Sequence, residues 1–193
     1  MTPEQETRER LLETAFELFH SKGYDQVSLN DITKKAGVSK GGLFHHFDSK
    51  YSLARDSLMW WASKKMQPDM IRMMHDDMEP RELLTAFLDL MMDISLESSG
   101  FTRFFWGVFD ESLRKKEDHS IWIEFMEGYV GMVSGQYEIM GVEHPREKAL
   151  LFLASMDGMA LYAEVLRNTE SELDTHALRS AMIDTFVNIE MRE

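Results

Sequence analysis

The fold is decided by residues 28–47, whose sequence is SLNDITKKAGVSKGGLFHHF. Ser28 stands three residues before Asp31, which is the spacing of a capping box, so a helix is predicted to start directly after it. Gly37 then interrupts the helical pattern, and Ser39 can cap a short third helix. Two helices joined by a tight glycine-containing turn are what a helix-turn-helix requires.

The flanking sequence extends this pair of helices into an all-α chain. Residues 4–22 are predicted to form a first helix, since their apolar residues fall on one stripe. Ser49 can cap a fourth helix that runs to about residue 75. Further helices are predicted at 80–98, 101–116, 119–140, 145–168 and 174–191. We therefore expect a three-helix head with a helix-turn-helix at 1–50 and a larger helical ligand-binding and dimerisation body at 51–193.

Composition and charge restrict the function. The 193 residues include no Cys, which excludes disulfides and thiolate metal sites and fits a reducing cytoplasm. The net charge is −13, yet residues 22–65 hold eight Lys or Arg against four Asp, a local charge of +4. Because salt screens charges beyond roughly 8 Å, DNA would meet this basic patch while the acidic remainder repels phosphate.

The chain is expected to be cytoplasmic and not bound to a membrane. Its first ten residues, MTPEQETRER, are polar and charged and do not resemble a signal peptide. Uninterrupted apolar runs fall short of the roughly 18 residues of a membrane span.

The third helix has an unusual start for so short an element. Gly41 and Gly42 each disfavour a helix by about 1 kcal/mol relative to Ala. Close approach of the backbone to DNA would compensate, with the helix N-terminus facing phosphate. Leu43 and Phe47, four residues apart, are predicted to hold the helix against the core of the head.

The run from Gly23 to Lys50 resembles the signature of the TetR (tetracycline-repressor) family, and with the first helix the resemblance covers about residues 5–55. It implies a DNA-binding transcriptional regulator, in most cases a repressor that a ligand releases from DNA. The DNA contacts that it implies fall at Ser28, Thr33, Ser39, Lys40, Gly41, Gly42, Phe44, His45 and Lys50.

Two of these positions have distinct expected roles. Lys50 resembles the lysine with which the family grips phosphate. Position 44 is usually a tyrosine whose hydroxyl contacts phosphate, and Phe44 lacks that hydrogen bond although its ring can still pack.

The body is rich in Met and aromatic residues, which favours a cavity for a small apolar effector. Met is pliable, and ligand pockets are mostly apolar. The candidate effector residues are Met66, Met70, Phe105, Trp106, Phe109, Trp122, Met126, Tyr129, Met159 and Tyr162. Plain core packing is the alternative, and a Cu(I) site built from thioethers is a more remote one.

Residues 145–191 are predicted to form a homodimer interface. The helix at 145–168 is apolar nearly all round, and such helices are buried on several sides. The family resemblance implies a four-helix bundle built from two subunits. The alternative is a monomer that buries these helices internally.

Catalytic, metal and cofactor sites are not expected. Asp89 and Asp93 share a helix face but have no nucleophile, His or metal ligand at a supporting spacing. Adjacent helical residues such as His45 and His46 point about 100° apart and rarely bind one ion.

Together with the family resemblance, the sequence predicts a ligand-responsive regulator that binds a pseudo-palindromic operator in double-stranded DNA as a dimer. The resemblance implies that it is a repressor, which a small apolar effector releases. Two alternatives remain at this point. One is a helical protein-interaction module without specific DNA binding, and the other is an enzyme that acts on a small apolar substrate.

Overall fold

Helices make up nearly all of the described chain. The computed structural model describes residues 2–66, 68, 78–97, 99–115, 119–167, 169 and 173–189. Within those residues it contains nine α-helices and no strand. The all-α fold class is confirmed.

The first four helices start within one residue of their predicted starts, and a threonine, Thr2, caps the first of them. They are α1 (Pro3–Lys22), α2 (Leu29–Ala36), α3 (Lys40–His46) and α4 (Lys50–Trp61). The N-cap side chain of each accepts a hydrogen bond from the backbone N–H three residues later, at 3.0–3.2 Å. These caps satisfy N–H groups that have no partner inside the helix.

The fourth helix differs from its prediction. Its α-helical part ends at Trp61, and Ala62–Met66 continues as a π-helix. The Ala62 N–H donates to the carbonyls of both Leu58 and Met59 at the change of winding. The predicted continuation from there to residue 75 lies, apart from Pro68, outside the described residues.

Five further α-helices follow. They are α5 (Pro80–Glu97), α6 (Ser99–Lys115), α7 (Ser120–Ile139), α8 (Pro145–Leu166) and α9 (Thr175–Phe186). Their starts agree with the predictions to within two residues. The last helix ends earlier than the predicted residue 191, because Val187 and Asn188 both donate to the Ile183 carbonyl and close the helix.

The chain forms two compact units. The first unit comprises Met1–Asp69 and Ser98–Glu117, and the second comprises Met70–Glu97 and Asp118–Glu193. Helix α6 therefore belongs with the four N-terminal helices, which the sequence did not predict. The division into a DNA-binding domain at 1–50 and a ligand-binding and dimerisation domain at 51–193 stays a prediction.

In the core of the first unit, the helix-turn-helix packs against α1, α4 and α6. Leu11, Ile32, Leu43, Leu53 and Phe104, one from each of α1, α2, α3, α4 and α6, are all completely buried. Each such side chain contributes about 1.5–3 kcal/mol through removal from water. The short helices α2 and α3 are stable here because they pack on this core.

The second unit has its own core between α5, α7, α8 and α9. Phe87, Tyr137 and Phe152 are fully buried in it. The Tyr137 hydroxyl donates to the Phe186 carbonyl at 2.7 Å, and Arg81 donates to the Val187 carbonyl at 3.2 Å. Both bonds satisfy carbonyls at the end of α9 that no helical N–H reaches.

Candidate nucleic-acid interface

The turn between α2 and α3 depends on Gly37. Its φ is +66°, in the left-handed region that favours glycine, and its N–H donates to the Thr33 carbonyl. Val38 donates to the same carbonyl at 3.0 Å. The two bonds end α2 within one residue, so that α3 can start at Ser39 and the predicted helix-turn-helix forms.

Ser28 and Asp31 cap α2 reciprocally. The Asp31 N–H donates to Ser28 Oγ at 3.2 Å, and the Ser28 N–H donates to Asp31 Oδ2 at 3.0 Å. Hydrogen bonds from the Ser28 side chain and backbone lower the pKa of the Asp31 carboxyl. Ser28 thus has a structural role of its own, and its contact with DNA stays a prediction.

The two glycines of α3 have different surroundings. A Cβ on Gly42 would lie 3.0 Å from Val38 Cγ1 and 3.3 Å from Ser39 Oγ, so the turn itself requires a small residue there. A Cβ on Gly41 would meet nothing within 4 Å. The space over Gly41 is thus open, whereas position 42 is packed against the turn.

One face of α3 is turned outward. Lys40, Gly41, Phe44 and His45 are exposed, whereas Leu43 is fully buried on the opposite face. Thr33, on α2, is half-buried, and its hydroxyl donates to the Asn30 carbonyl at 3.1 Å. Phe44 leaves 44% of its surface exposed.

His45 faces a carboxylate of α1. Its Nε2 lies 3.5 Å from Glu4 Oε1, and both side chains are largely exposed. The ring centroids of His45 and His46 are 5.2 Å apart in an edge-on arrangement. Among the residues that the structure describes, no group of three or more His, Asp or Glu could hold a metal ion.

Lys50 is half-buried at the start of α4. Its Nζ lies 4.3 Å from the ring centroid of Tyr24 and 6.0 Å from that of Phe19. Burial lowers the pKa of the Lys50 ammonium, while Asp25 and Glu111 act to raise it. Sequence reasoning missed Tyr24 as a neighbour of Lys50, because only the fold places the two together.

The predicted effector residues fall in both compact units. Met66, Phe105, Trp106 and Phe109 belong to the first unit, and Met70 lies outside the described residues. The second unit holds Trp122, Met126, Tyr129, Met159 and Tyr162. Their assignment to an effector site stays a prediction.

The burial of the second-unit members is uneven. Trp122 and Met159 are buried, whereas Tyr162 is 60% exposed on α8. A pocket of about 170 Å³ in this unit is lined by Leu96, Ala163, Leu166, Arg167, Leu173 and Thr175. Another, of about 470 Å³, lies beside Arg81 and Asp89, and neither pocket contains a predicted effector residue.

Helix α8 exposes an apolar stripe. Its large members, which are between 42% and 62% exposed, are Leu150, Leu151, Leu161, Tyr162 and Val165. Ala154 and Gly158 lie exposed between them at helical spacing. The outer face of α9 carries small residues, namely Ala177, Ser180 and Ala181. Continuous apolar surface of this kind marks an interaction site.

By length and composition alone, α8 is also the one helix among the described residues that could cross a membrane. The core helix of a water-soluble protein passes the same test, and α8 contributes Ala149, Phe152 and Met156 to the core of the second unit.

Comparison with known proteins finds a family match for the N-terminal helices. Residues 11–56 match the sequence pattern of the bacterial regulatory proteins of the tetR family. The biofilm operon negative transcriptional regulator IcaR of Staphylococcus aureus is 39% identical over 51 residues, which are 26% of this chain and 27% of that protein. The HTH-type transcriptional regulator YxaF of Bacillus subtilis is 33% identical over 89 residues, 46% of each chain. The chain thus spans between a quarter and half of the length of these relatives.

A solved structure extends the likeness to the whole fold. The reduced form of NemR from E. coli superposes with a TM-score of 0.72, covers 95% of this chain and 96% of its own, and is 21% identical. The predicted combination of a helix-turn-helix head and a helical body is confirmed at the level of the fold. The matched relatives IcaR and YxaF are both named as transcriptional regulators.

Proposed function

Because this chain carries the N-terminal domain of the tetR family and shares the fold of that family's regulators, we propose that it is a DNA-binding transcriptional repressor. It acts as a homodimer on a pseudo-palindromic operator, and a small apolar effector releases it. Such a protein works where the DNA is, so its place is the cytoplasm.

The observation that carries this proposal is the two-sided character of α3. Leu43 fixes the helix to the core, while Lys40 and Gly41 at its N-terminal end, with Phe44 and His45, are exposed to solvent. A recognition helix places its N-terminal residues against base edges in the major groove. The open space over Gly41 lets the backbone approach the DNA closely.

The exposed stripe on α8 supports the dimer. Leu161, Tyr162 and Val165 present apolar surface at one end of the stripe, and the small residues of α9 allow a second helix to come close. Two copies that pair α8 and α9 as a four-helix bundle would cover this surface. The two recognition helices would then meet successive major grooves, roughly 34–36 Å apart.

Release by an effector requires a difference in affinity between two conformations of the dimer. A ligand that binds the DNA-free conformation more tightly shifts the population toward it by no more than that difference. The Met and aromatic residues predicted for the site are chemically suited to an apolar ligand.

DNA binding separates this function from that of a protein-interaction module. Fluorescence anisotropy with the DNA upstream of the protein's own gene should give saturable binding that non-specific competitor DNA does not abolish. Lys40→Ala should weaken the binding, and Arg114→Ala on the outer face of α6, which also removes one positive charge, should not. Equal binding of all sequences by the wild-type protein, or equal loss in both variants, would refute the proposal.

A further inference from the structure

We propose that Tyr24 positions the Lys50 ammonium for phosphate binding, and that the bare backbone of Gly107 on α6 fixes the place of Tyr24. The inference rests on the proposed function, since it concerns how the head presents one of its phosphate contacts. Neither Tyr24 nor Gly107 belongs to the set of residues expected to touch DNA.

The position of Lys50 is defined at both ends of its side chain. Its backbone begins α4, directly after Ser49, whose side chain accepts a hydrogen bond from the Ser52 N–H at 3.0 Å. Its Nζ lies 4.3 Å from the centroid of the Tyr24 ring, within the range of a cation–π interaction. The conformation of the Lys50 side chain is therefore restrained in the free protein.

An aromatic ring suits this task better than a carboxylate. A carboxylate would accept hydrogen bonds from the ammonium and partly neutralise it, in competition with phosphate. The face of the Tyr24 ring attracts the cation and accepts no strong hydrogen bond, so the three N–H donors of Lys50 stay available. The restraint thus lowers the entropy lost on binding and preserves the charge.

Tyr24 itself packs against α6. A Cβ on Gly107 would lie 2.8 Å from Tyr24 Cβ and 3.5 Å from its Cγ, so only glycine allows the present approach. The ring of Tyr24 also lies against Phe19, with centroids 5.7 Å apart, and Tyr24 is almost fully buried. A larger residue at position 107 must displace Tyr24, and with it the surface on which Lys50 rests.

Two acidic residues from different segments lie around this contact. Asp25 follows Tyr24 in the turn after α1, and Glu111 lies one helical turn beyond Gly107 on α6. Both favour the charged form of Lys50. Glu111 is itself paired with Lys115, at 3.6 Å, while the Tyr24 ring lies 4.3 Å from the Lys50 ammonium.

The test is a double-mutant cycle in DNA binding. A short labelled duplex is first recovered by selection from random DNA, and its affinity for the full-length protein is measured over a range of salt concentrations. Lys50→Ala should flatten the slope of log affinity against log salt by about one, the loss of one phosphate contact. Tyr24→Leu should weaken binding about two- to fivefold, as for the loss of a partly exposed cation–π contact, and Tyr24→Phe should retain wild-type affinity.

The cycle distinguishes positioning from general support of the fold. If Tyr24 acts through Lys50, Tyr24→Leu should have no further effect in the Lys50→Ala background. An equal loss in both backgrounds, or wild-type affinity in Tyr24→Leu, would overturn the inference. If Lys50→Ala itself leaves affinity and slope unchanged, the phosphate role of Lys50 in the proposed function fails instead.

A measurement on the unaltered protein decides the matter if Tyr24→Leu does not fold. In selectively labelled protein, the NMR signals of the Lys50 ε-methylene should lie upfield of those of the other lysines, because they sit over the Tyr24 ring. Gly107→Ala should shift them toward the common position and weaken DNA binding in the same direction as Tyr24→Leu. An unshifted Lys50 signal in the wild type would overturn the inference.

Discussion

Substitution of Gly100 by Ala should destabilise the first unit, because α6 lies in backbone contact with the end of α1 at this point. A Cβ on Gly100 would lie 1.7 Å from the His20 carbonyl oxygen and 2.7 Å from the His20 carbonyl carbon. Since Cβ atoms are essentially never found closer than 3.0 Å to another heavy atom, α6 must move by at least about 1.3 Å.

The expected cost follows from the kind of obstacle. Overpacking of a core costs about 1–3 kcal/mol, and the obstacle here is backbone, which cannot rotate away. The better helix propensity of Ala returns up to about 1 kcal/mol. We therefore expect a net loss of about 2 kcal/mol in the free energy of unfolding.

Urea unfolding followed by tryptophan fluorescence measures this loss, since Trp60, Trp61 and Trp106 lie in the first unit and only Trp122 lies in the second. The matched control is Gly131→Ala on α7, where a Cβ would meet nothing within 4 Å and stability should stay equal or rise. A Gly100→Ala variant as stable as the wild type would refute the close packing of α6 on α1.

Three further outcomes are expected. Val165→Glu should place a charge in the apolar stripe on α8 and convert the dimer to a monomer, as measured by sedimentation velocity. Ile123→Glu, which changes an equally exposed residue of α7, should leave the dimer intact. A dimeric Val165→Glu protein would contradict the proposed interface. Burial raises the pKa of the Asp157 carboxyl to about 6, so the free energy of unfolding falls as the pH rises toward that value and the buried carboxyl ionises. Asp157→Asn should therefore have a larger free energy of unfolding at pH 7.5, and one that varies less with pH. An unchanged urea midpoint at pH 7.5 would contradict this prediction. Phe44→Tyr should restore the hydroxyl usual at this position and tighten DNA binding by about 0.5–1.5 kcal/mol, the net worth of one hydrogen bond, in the anisotropy titration; equal or weaker binding would show that position 44 does not face a phosphate.

The helix-turn-helix could be predicted from the sequence because its signals are local. Ser28, Ser39 and Ser49 each cap the helix that follows within three residues, and Gly37 ends α2 by its own backbone conformation. Such features depend only on residues that are close together in the chain, so they can be predicted from the sequence.

The attachment of α6 to the first unit could not be predicted in the same way. It depends on Gly100 and Gly107, which are seven residues apart and so share one face of α6, against His20 and Tyr24 some eighty residues earlier. Two glycines at this spacing in a helix are a usable signal of close approach, but they do not identify the partner. The contact between Tyr24 and Lys50 was hidden for the same reason.

The effector residues were the hardest to assign from sequence. Met and aromatic side chains fill cores, line cavities and form interfaces through the same hydrophobic effect. In the second unit Trp122 is buried in the packed interior while Tyr162 is exposed on the α8 stripe. Composition therefore indicated an apolar body but could not separate these three roles.

A hydroxyl-radical footprint on the selected DNA site tests the central claim most directly, since it reports both the head and the dimer. A dimer that places two recognition helices in the DNA should protect two segments on one face of the DNA, one helical turn apart, with two protein chains bound per site. Protection of a single segment by a single chain, or uniform protection without preferred positions, would contradict it.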